Sequence, residues 1–189
     1  MRRALVVFTL LLAAASGLAA QASISAVPAW REKVAEAMPL LGHRNWILIV
    51  DSAYPLQSAT GIETIETDAS QLEVLRHVLF AIDRSIHVRP VITMDAELPF
   101  ITEDDAPGVA AYRTETNDLL RSYPVDSLPH DRVIANIEDA SKHFNILVLK
   151  TTMTIPYTSV FIRLDCKYWS ADAEQRLRAK MAAAAQPAH

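Results

Sequence analysis

Apolar residues cluster in short runs along the chain, and these runs predict the strands of a sheet. The run Trp46–Val50 (WILIV) is apolar throughout and ends at Asp51, which is typical of a strand buried on both faces. Pro90 within the run 88–94 indicates a sheet edge or a bulge, because proline lacks the N–H that a central strand donates. The predicted strands are 46–50, 62–66, 88–94, 145–150 and 159–164.

Segments with apolar residues at helical spacing alternate with these runs. In residues 70–83, leucine or isoleucine recurs every three or four positions, and Ser70 precedes them as a plausible helix N-cap. The predicted helices are 30–38, 70–83, 104–121, 131–143 and 171–185. The alternation predicts an α/β fold of three layers with a mostly parallel central sheet. Ligands bind such sheets beyond the carboxyl ends of the strands, here at Asp51, in the turn after Met94 and in the stretch after Lys150.

The first 22 residues predict a secretory signal peptide. Two arginines follow Met1, residues 4–18 are almost wholly apolar, and Ala20-Gln21-Ala22 fits a small-x-small cleavage pattern. An uncleaved membrane anchor is the alternative, although the apolar stretch is short for a membrane span. We therefore expect residues 23–189 to form a single domain with a C-terminal helix, in the periplasm or secreted, with no membrane span after signal cleavage.

Composition narrows the possible chemistry. Hydrophobic residues make up 51% of the chain, which is enough for a packed core, and the net charge of -4 argues against nucleic acid as a partner. The chain has 4 glycines and neither G-x-G-x-x-G nor a P-loop, so nothing supports a dinucleotide or phosphate cradle. No metal site is expected either, because neither H-x-x-x-H nor H-E-x-x-H occurs. Cys166 is the single cysteine, and we expect it to be buried and inert rather than paired between chains.

Two candidate functional residues, His43 and Asp51, flank the first predicted strand. His43 precedes the strand and Asp51 ends it eight residues later, a separation of about 26 Å in a fully extended chain. Taken alone, each side chain fits a turn or a cap as well as a functional site. They share one site only across a subunit boundary, or if the chain before Trp46 folds back.

The segment 41–55 (LGHRNWILIVDSAYP) resembles the opening motif of the ribose pyranase / fucose mutarotase (RbsD/FucU) family. That motif is roughly G-H-x-D, an apolar strand and D-A-x-x-P, with the same spacing from histidine to aspartate. Residues 137–144 followed by an apolar strand, and then Pro156-Tyr157-Thr158-Ser159, resemble later parts of the family. The resemblance spans roughly residues 30–165 and implies the RbsD-like fold. It also implies interconversion of sugar anomers or ring forms without a cofactor, in homo-oligomeric rings, often decamers, whose sites neighbouring subunits complete.

The resemblance implies His43, Asp51 and Tyr157 as catalytic residues. Mutarotation opens a hemiacetal ring, and a histidine can supply or accept the proton near neutral pH. Asp51 would orient the imidazole or hold sugar hydroxyls. Tyr157 would hydrogen-bond a hydroxyl of a fucose-like or ribose-like monosaccharide. The predicted substrate-binding residues are Tyr54, which would stack on the sugar, His130, near where some members place a second catalytic histidine, and Ser159.

The sequence departs from the family pattern at the same places. Asn45 replaces the acid of the first motif, Thr151-Thr152 replaces a Gly-Glu pair, and Ser159 replaces an amide. A monosaccharide-binding or scaffold protein of the same fold, without turnover, therefore stays an alternative to an active mutarotase. A secreted hydrolase with the same layout is a third possibility, although no G-x-S-x-G elbow is present.

Overall fold

The computed structural model describes residues 27–185 of the chain. The predicted signal peptide, residues 1–22, lies outside the described residues. The helices are α1 (Ala29–Ala37), α2 (Gln71–Arg84), α3 (Val109–Leu120), α4 (His130–Ser141) and α5 (Ala171–Ala184), with a short 3-10 helix over Leu98–Phe100. The strands are β1 (Trp46–Val50), β2 (Ile62–Glu66), β3 (Val88–Asp95), β4 (Val125–Leu128), β5 (Ile146–Lys150) and β6 (Val160–Cys166).

The six strands form one sheet in the order β2-β5-β1-β6-β3-β4. β1, β2 and β5 run parallel, as do β3 and β4, whereas β6 is antiparallel to both of its neighbours. The nine residues between β5 and β6 contain no helix, so the chain turns back instead of crossing over. The expected α/β class with a mostly parallel sheet is confirmed.

Helices cover both faces of the sheet and give the expected three layers. On one face, apolar residues of α1, α2 and α3 pack against alternate residues of β1 such as Ile47 and Ile49. On the other face, Val133 and Ile137 of α4 pack against Leu48 of β1 and its neighbours. The alternation in β1 places successive side chains on opposite faces, and all five are buried, as its apolar run predicts.

Most predicted elements are confirmed, and Ser70 caps α2 by accepting the backbone N–H of Glu73 at 3.3 Å. Pro90 lies where β3 has only β6 beside it, because pairing with β4 begins at Ile92. The predicted helix 104–121 is wrong at its start, since α3 begins at Val109. The side chain of Glu103 accepts the N–H groups of Gly108 and Ala110, so the preceding residues form turns.

Two further features were not as expected from the sequence. β4 was not predicted, because its four residues are all exposed and carry no apolar run. Cys166 is free and only half-buried at the end of β6. Among residues 27–185, no helix combines the length and apolar character that crossing a bilayer requires.

Candidate functional site

The direction of the strands gathers several polar residues at one edge of the sheet. β1, β3, β4 and β5 all end at this edge, and the antiparallel β6 begins there. We call it the carboxyl edge and the opposite one the amino edge. The carboxyl edge carries Asp51, Asp95, His130, Tyr157 and Ser159.

A carboxylate–imidazole pair lies at the carboxyl edge, where β3 ends and α4 begins. Asp95 is the last residue of β3, and its Oδ1 is 3.1 Å from Nδ1 of His130, the first residue of α4. The backbone N–H of His130 donates to both carboxylate oxygens of Glu97, at 2.9 and 3.1 Å. Glu97 thereby holds the start of α4, which fixes the histidine over the end of β3.

Burial sets the electrostatics of this pair. Asp95 is only 2% exposed, and its Oδ2 finds no hydrogen-bond donor within residues 27–185. Burial raises the pKa of Asp95 to about 6, although the hydrogen bond and the charge of His130 partly offset the rise. Asp95 therefore changes its charge close to neutral pH while it is in contact with the imidazole of His130.

Asp51 and Ser159 meet beside this pair. Ser159 Oγ donates to Asp51 Oδ2 at 3.4 Å, and Asp51 Oδ1 accepts the N–H of Ala53 at 2.9 Å. The negative charge of Asp51 adds to the raised pKa of Asp95, which indicates that the two carboxylates act on one another. Asp51 is half-buried, so part of the residue stays accessible to solvent at the carboxyl edge.

Tyr54 is placed differently from its predicted stacking role. The ring is 6% exposed and packs in the core on the α4 side of the sheet. Burial raises the pKa of Tyr54 to about 12, and the charges of Asp51 and Asp95 add to the rise. Its ring therefore offers little free face to a sugar, while its proximity to both carboxylates places it beneath the site.

Tyr157 projects from the turn between β5 and β6. Its backbone has φ 57°, in the left-handed region, and its ring is half-exposed and packs edge-on against His130 with centroids 5.5 Å apart. The next residue, Thr158, is fully buried and its carbonyl accepts from Gln71 Nε2 and from the hydroxyl of Tyr112. These two bonds fix the turn and hold Tyr157 and Ser159 in place.

The structure thus brings together Asp51, His130, Tyr157 and Ser159, and it places His43 elsewhere. His43 precedes β1 and lies at the amino edge, so the five residues of β1, about 17 Å of strand, separate it from Asp51. There its Nδ1 is 3.7 Å from Oδ1 of Asp165, whose other oxygen, Oδ2, accepts from Arg89 Nη2 at 2.7 Å. Within one chain, His43 and Asp51 belong to different surfaces.

Sequence reasoning missed Asp95 and Glu97 as individual residues. The sequence did direct attention to the turn after Met94, and Asp95 ends an apolar strand just as Asp51 does. The signal was therefore the repeated pattern of an aspartate at a strand end. Glu97 could not be found in this way, because its contact with His130 spans 33 residues of sequence.

The arrangement is suited to proton transfer. When Asp95 is ionised, it accepts a hydrogen bond from Nδ1–H of His130, and the proton on Nδ1 leaves a lone pair on Nε2 for a ligand. A phenol hydroxyl and a second carboxylate, from Tyr157 and Asp51, lie around it. Within the described part of the chain, no group of three or more His, Cys, Asp or Glu side chains is placed to hold a metal ion.

Comparison with known proteins shows the fold. Over 69% of this chain and 89% of the other, the structure resembles Bacillus subtilis RbsD complexed with D-ribose, with TM-score 0.51 and 15% sequence identity. The fucose mutarotase from Streptococcus pneumoniae in complex with L-fucose has TM-score 0.49 and 17% identity, over 74% of this chain and 96% of that one. FucU from Bifidobacterium longum has TM-score 0.46 and 18% identity, with 70% and 92% covered.

No protein-family model matches the sequence, and no curated protein matches it either. The structural similarity to RbsD, with TM-score 0.51, confirms the expected RbsD-like fold.

Proposed function

We propose that the protein is a cofactor-free monosaccharide mutarotase or pyranase whose proton-transfer centre is the Asp95–His130 pair. The observation that carries this proposal is the 3.1 Å contact between a buried carboxylate and a half-exposed imidazole at the carboxyl edge. The substrate class is taken from the solved relatives of the same fold, which were crystallised with D-ribose and L-fucose. A fucose-like or ribose-like sugar is therefore the proposed substrate.

The proposed reaction needs one base and one acid. Nε2 of His130 accepts the proton of the anomeric hydroxyl as the bond from the anomeric carbon to the ring oxygen breaks and a carbonyl forms. The hydroxyl of Tyr157, whose ring packs edge-on against the imidazole, donates a proton to the released ring oxygen. After rotation of the open chain, the same steps in reverse close the ring on either carbonyl face.

Two groups on the site hold the sugar rather than exchange its protons. The Asp51 carboxylate accepts hydrogen bonds from sugar hydroxyls, and Ser159 Oγ, at 3.4 Å from it, fixes its orientation. The serine side chain is shorter than the amide that the family pattern has at position 159. A water molecule or a larger sugar substituent therefore fills the space that the amide would occupy. The proposed specificity thus differs from that of relatives with an amide there.

His43 joins this site only from another copy of the chain, because it lies at the amino edge of its own sheet. A contact between the amino edge of one subunit and the carboxyl edge of the next is heterologous, and such contacts close into rings. We propose a homo-oligomer of this kind, with His43 of a neighbour as the second catalytic histidine. If residues 1–22 act as a signal peptide, the reaction takes place in the periplasm or outside the cell.

Exchange NMR on mixed anomers of fucose, ribose and galactose tests the proposal. We expect anomer exchange above the spontaneous rate for at least one sugar. His130→Gln should lower the enzymatic increment by at least about 100-fold, since it removes the general base. His143→Gln, an exposed histidine beyond the other end of α4, is the matched control and should keep the increment.

Two outcomes would contradict the proposal. If a sugar binds without faster exchange, the protein is the non-catalytic monosaccharide-binding relative. If His130→Gln retains the full increment, the Asp95–His130 pair is not the proton-transfer centre.

A further inference from the structure

One aromatic side chain is exposed in the loop that follows β3, although the backbone of this loop is firmly held. Phe100 ends the short 3-10 helix between β3 and α3, and it is 83% exposed. On the other side of the turn, Leu98 packs into the core. Nη1 of Arg113, on α3, donates at 2.9 to 3.2 Å to three carbonyls of the loop, those of Leu98, Pro99 and Ile101. The backbone that carries Phe100 is therefore fixed to α3.

The geometry of the 3-10 turn directs Phe100 toward the proposed proton-transfer centre. The backbone N–H of Phe100 donates to the carbonyl of Glu97 at 2.9 Å, which is the bond of a 3-10 turn. Side chains three residues apart in such a turn lie on the same side of it, about 6 Å apart along its axis. The carboxylate of Glu97 accepts the backbone N–H of His130 at 2.9 Å. Phe100 therefore lies on the side of the loop that faces the start of α4.

Leu128 places a second apolar side chain near the same histidine. It is the last residue of β4 and pairs with Asp95 of β3, and the side chains of paired residues lie on one face of a sheet. Leu128 is partly exposed and precedes His130 by two residues. We call Phe100 and Leu128 the apolar rim of the carboxyl edge.

The residues assigned so far to the sugar site provide hydrogen bonds but no open apolar surface. Asp51, His130, Tyr157 and Ser159 act through polar atoms, and the ring of Tyr54 is buried in the core. A pyranose has an apolar side made of C–H groups, and some pyranoses also carry a methyl group. Apolar side chains bind such groups by removing them from water, and aromatic rings offer the largest surface for this purpose. The apolar rim supplies such a surface.

We propose that Phe100 is a specificity-determining residue of the sugar site and selects pyranoses that carry a methyl group, such as L-fucose. Its ring packs on the methyl group and Leu128 extends the same surface, while the polar groups of the carboxyl edge hold the hydroxyls. The inference rests on the proposed function, because it takes the carboxyl edge as the sugar site. It decides between a fucose-like and a ribose-like substrate in favour of the first.

Two sugars that differ only in the methyl group provide the test. The pyranose form of D-arabinose has the ring and the hydroxyl configuration of L-fucose but lacks its methyl group. Titrations followed by saturation-transfer difference NMR give the Kd of each sugar, and exchange NMR gives the rate of anomer exchange. One carbon in an apolar pocket changes discrimination by about tenfold or more, so we expect L-fucose to bind about tenfold more tightly than D-arabinose.

Three variants assign this preference to Phe100. Phe100→Ala should weaken the binding of L-fucose about tenfold and leave that of D-arabinose nearly unchanged, so that the preference disappears. Phe100→Leu should retain part of the preference, because leucine keeps an apolar side chain. Phe80→Ala, at an exposed position of α2, is the matched control and should retain all of it. Phe80 and Phe100 both lie outside the buried core, so these replacements leave the fold intact.

The outcomes separate this inference from the proposed function. The inference is wrong if neither sugar binds, if both bind equally to the unaltered protein, or if Phe100→Ala keeps the preference for L-fucose. It is also wrong if Phe100→Ala changes the number of subunits on gel filtration, because Phe100 would then be an interface residue. If L-fucose binds with the expected preference but no sugar exchanges its anomers above the spontaneous rate, the proposed function fails and the inference stands.

Discussion

Among residues 27–185, Asp95 combines a fully buried carboxylate with a single side-chain partner, His130. Transfer of a charge out of water costs free energy, and the hydrogen bond to His130 recovers only part of it. This cost raises the pKa of Asp95 to about 6 in the native state, whereas the unfolded chain has no such rise. The same residue therefore links protonation to folding.

Stability should fall as the pH rises through this window. Between the ordinary pKa of 3.8 and about 6, the native state holds the Asp95 proton more tightly than the unfolded state does. Stability from this residue is thus fully present below pH 4 and is lost by about pH 7, a change of about 3 kcal/mol. Asp95→Asn should remove that change.

Urea unfolding at several pH values from 4 to 7 measures the effect as the difference between Asp95→Asn and the unaltered protein. Asp104→Asn, at an exposed position, is the matched control and should run parallel to the unaltered protein. Parallel curves for Asp95→Asn as well would contradict the raised pKa.

At the scale of elements, α2 and α5 have the same length and the same kind of N-cap but differ in how far they pack against the core. Ser70 and Ser170 each accept a backbone N–H three residues on, at 3.3 and 3.1 Å. α2 buries six residues in the core, whereas α5 buries none. A capping bond should therefore contribute to global stability only in α2.

Ser70→Ala should lower the free energy of unfolding by about 1 kcal/mol, the usual contribution of an N-cap. Ser170→Ala should leave it nearly unchanged and should instead increase amide hydrogen exchange within α5, because that helix opens on its own. Equal losses of global stability for the two variants would show that α5 packs on the core more firmly than its exposure indicates.

The turn that carries Tyr157 depends on two buried donors, Gln71 and Tyr112, that share the carbonyl of Thr158. Either single variant, Gln71→Leu or Tyr112→Phe, should cost about 1–2 kcal/mol because the other donor still satisfies that carbonyl. The double variant should cost more than the sum, since only then is a buried acceptor left without a partner. Chemical unfolding of the four proteins measures this coupling, and strict additivity would contradict the shared role.

Most elements followed from local patterns in the sequence, whereas His130, Tyr157 and Ser159 of the candidate site were expected only from the family resemblance. β1 and α2 were predictable because their apolar residues recur with the period of a buried strand and of a helix. β4 was not, because its pairing with β3 rather than its own residues makes it a strand. Asp95 and His130 are 35 residues apart in the sequence, so no local pattern predicts their contact.

At the scale of the whole molecule, the predicted catalytic pair His43 and Asp51 is divided between opposite edges of one sheet. A site that uses both residues must therefore be assembled from two chains. The Asp95–His130 pair, by contrast, is complete within a single chain. Subunit mixing tests whether the proposed site needs His43 of a second chain in addition to the Asp95–His130 pair.

His43→Ala and Asp51→Asn should each lower anomer exchange when assayed alone. Mixing the two variants in equal amounts after dissociation should restore activity, because about one quarter of the interfaces then join an intact His43 to an intact Asp51. The rate of the mixture, compared with the mean of the separate rates, is the measurement. No gain on mixing would mean that His43 does not serve the carboxyl edge.

The reversed direction of β6 has a consequence for how the chain tolerates insertions and deletions. This strand is held by backbone bonds on both sides; Ser159, immediately before it, belongs to one surface, and Asp165, near its end, belongs to the other. Loss of one residue within β6 would turn the side chains on one side of the deletion to the opposite face of the sheet. A functional residue at one end of the strand would then be displaced, either Ser159 or Asp165. Natural length variation should therefore be found in the connections of this protein and be absent from its sixth strand.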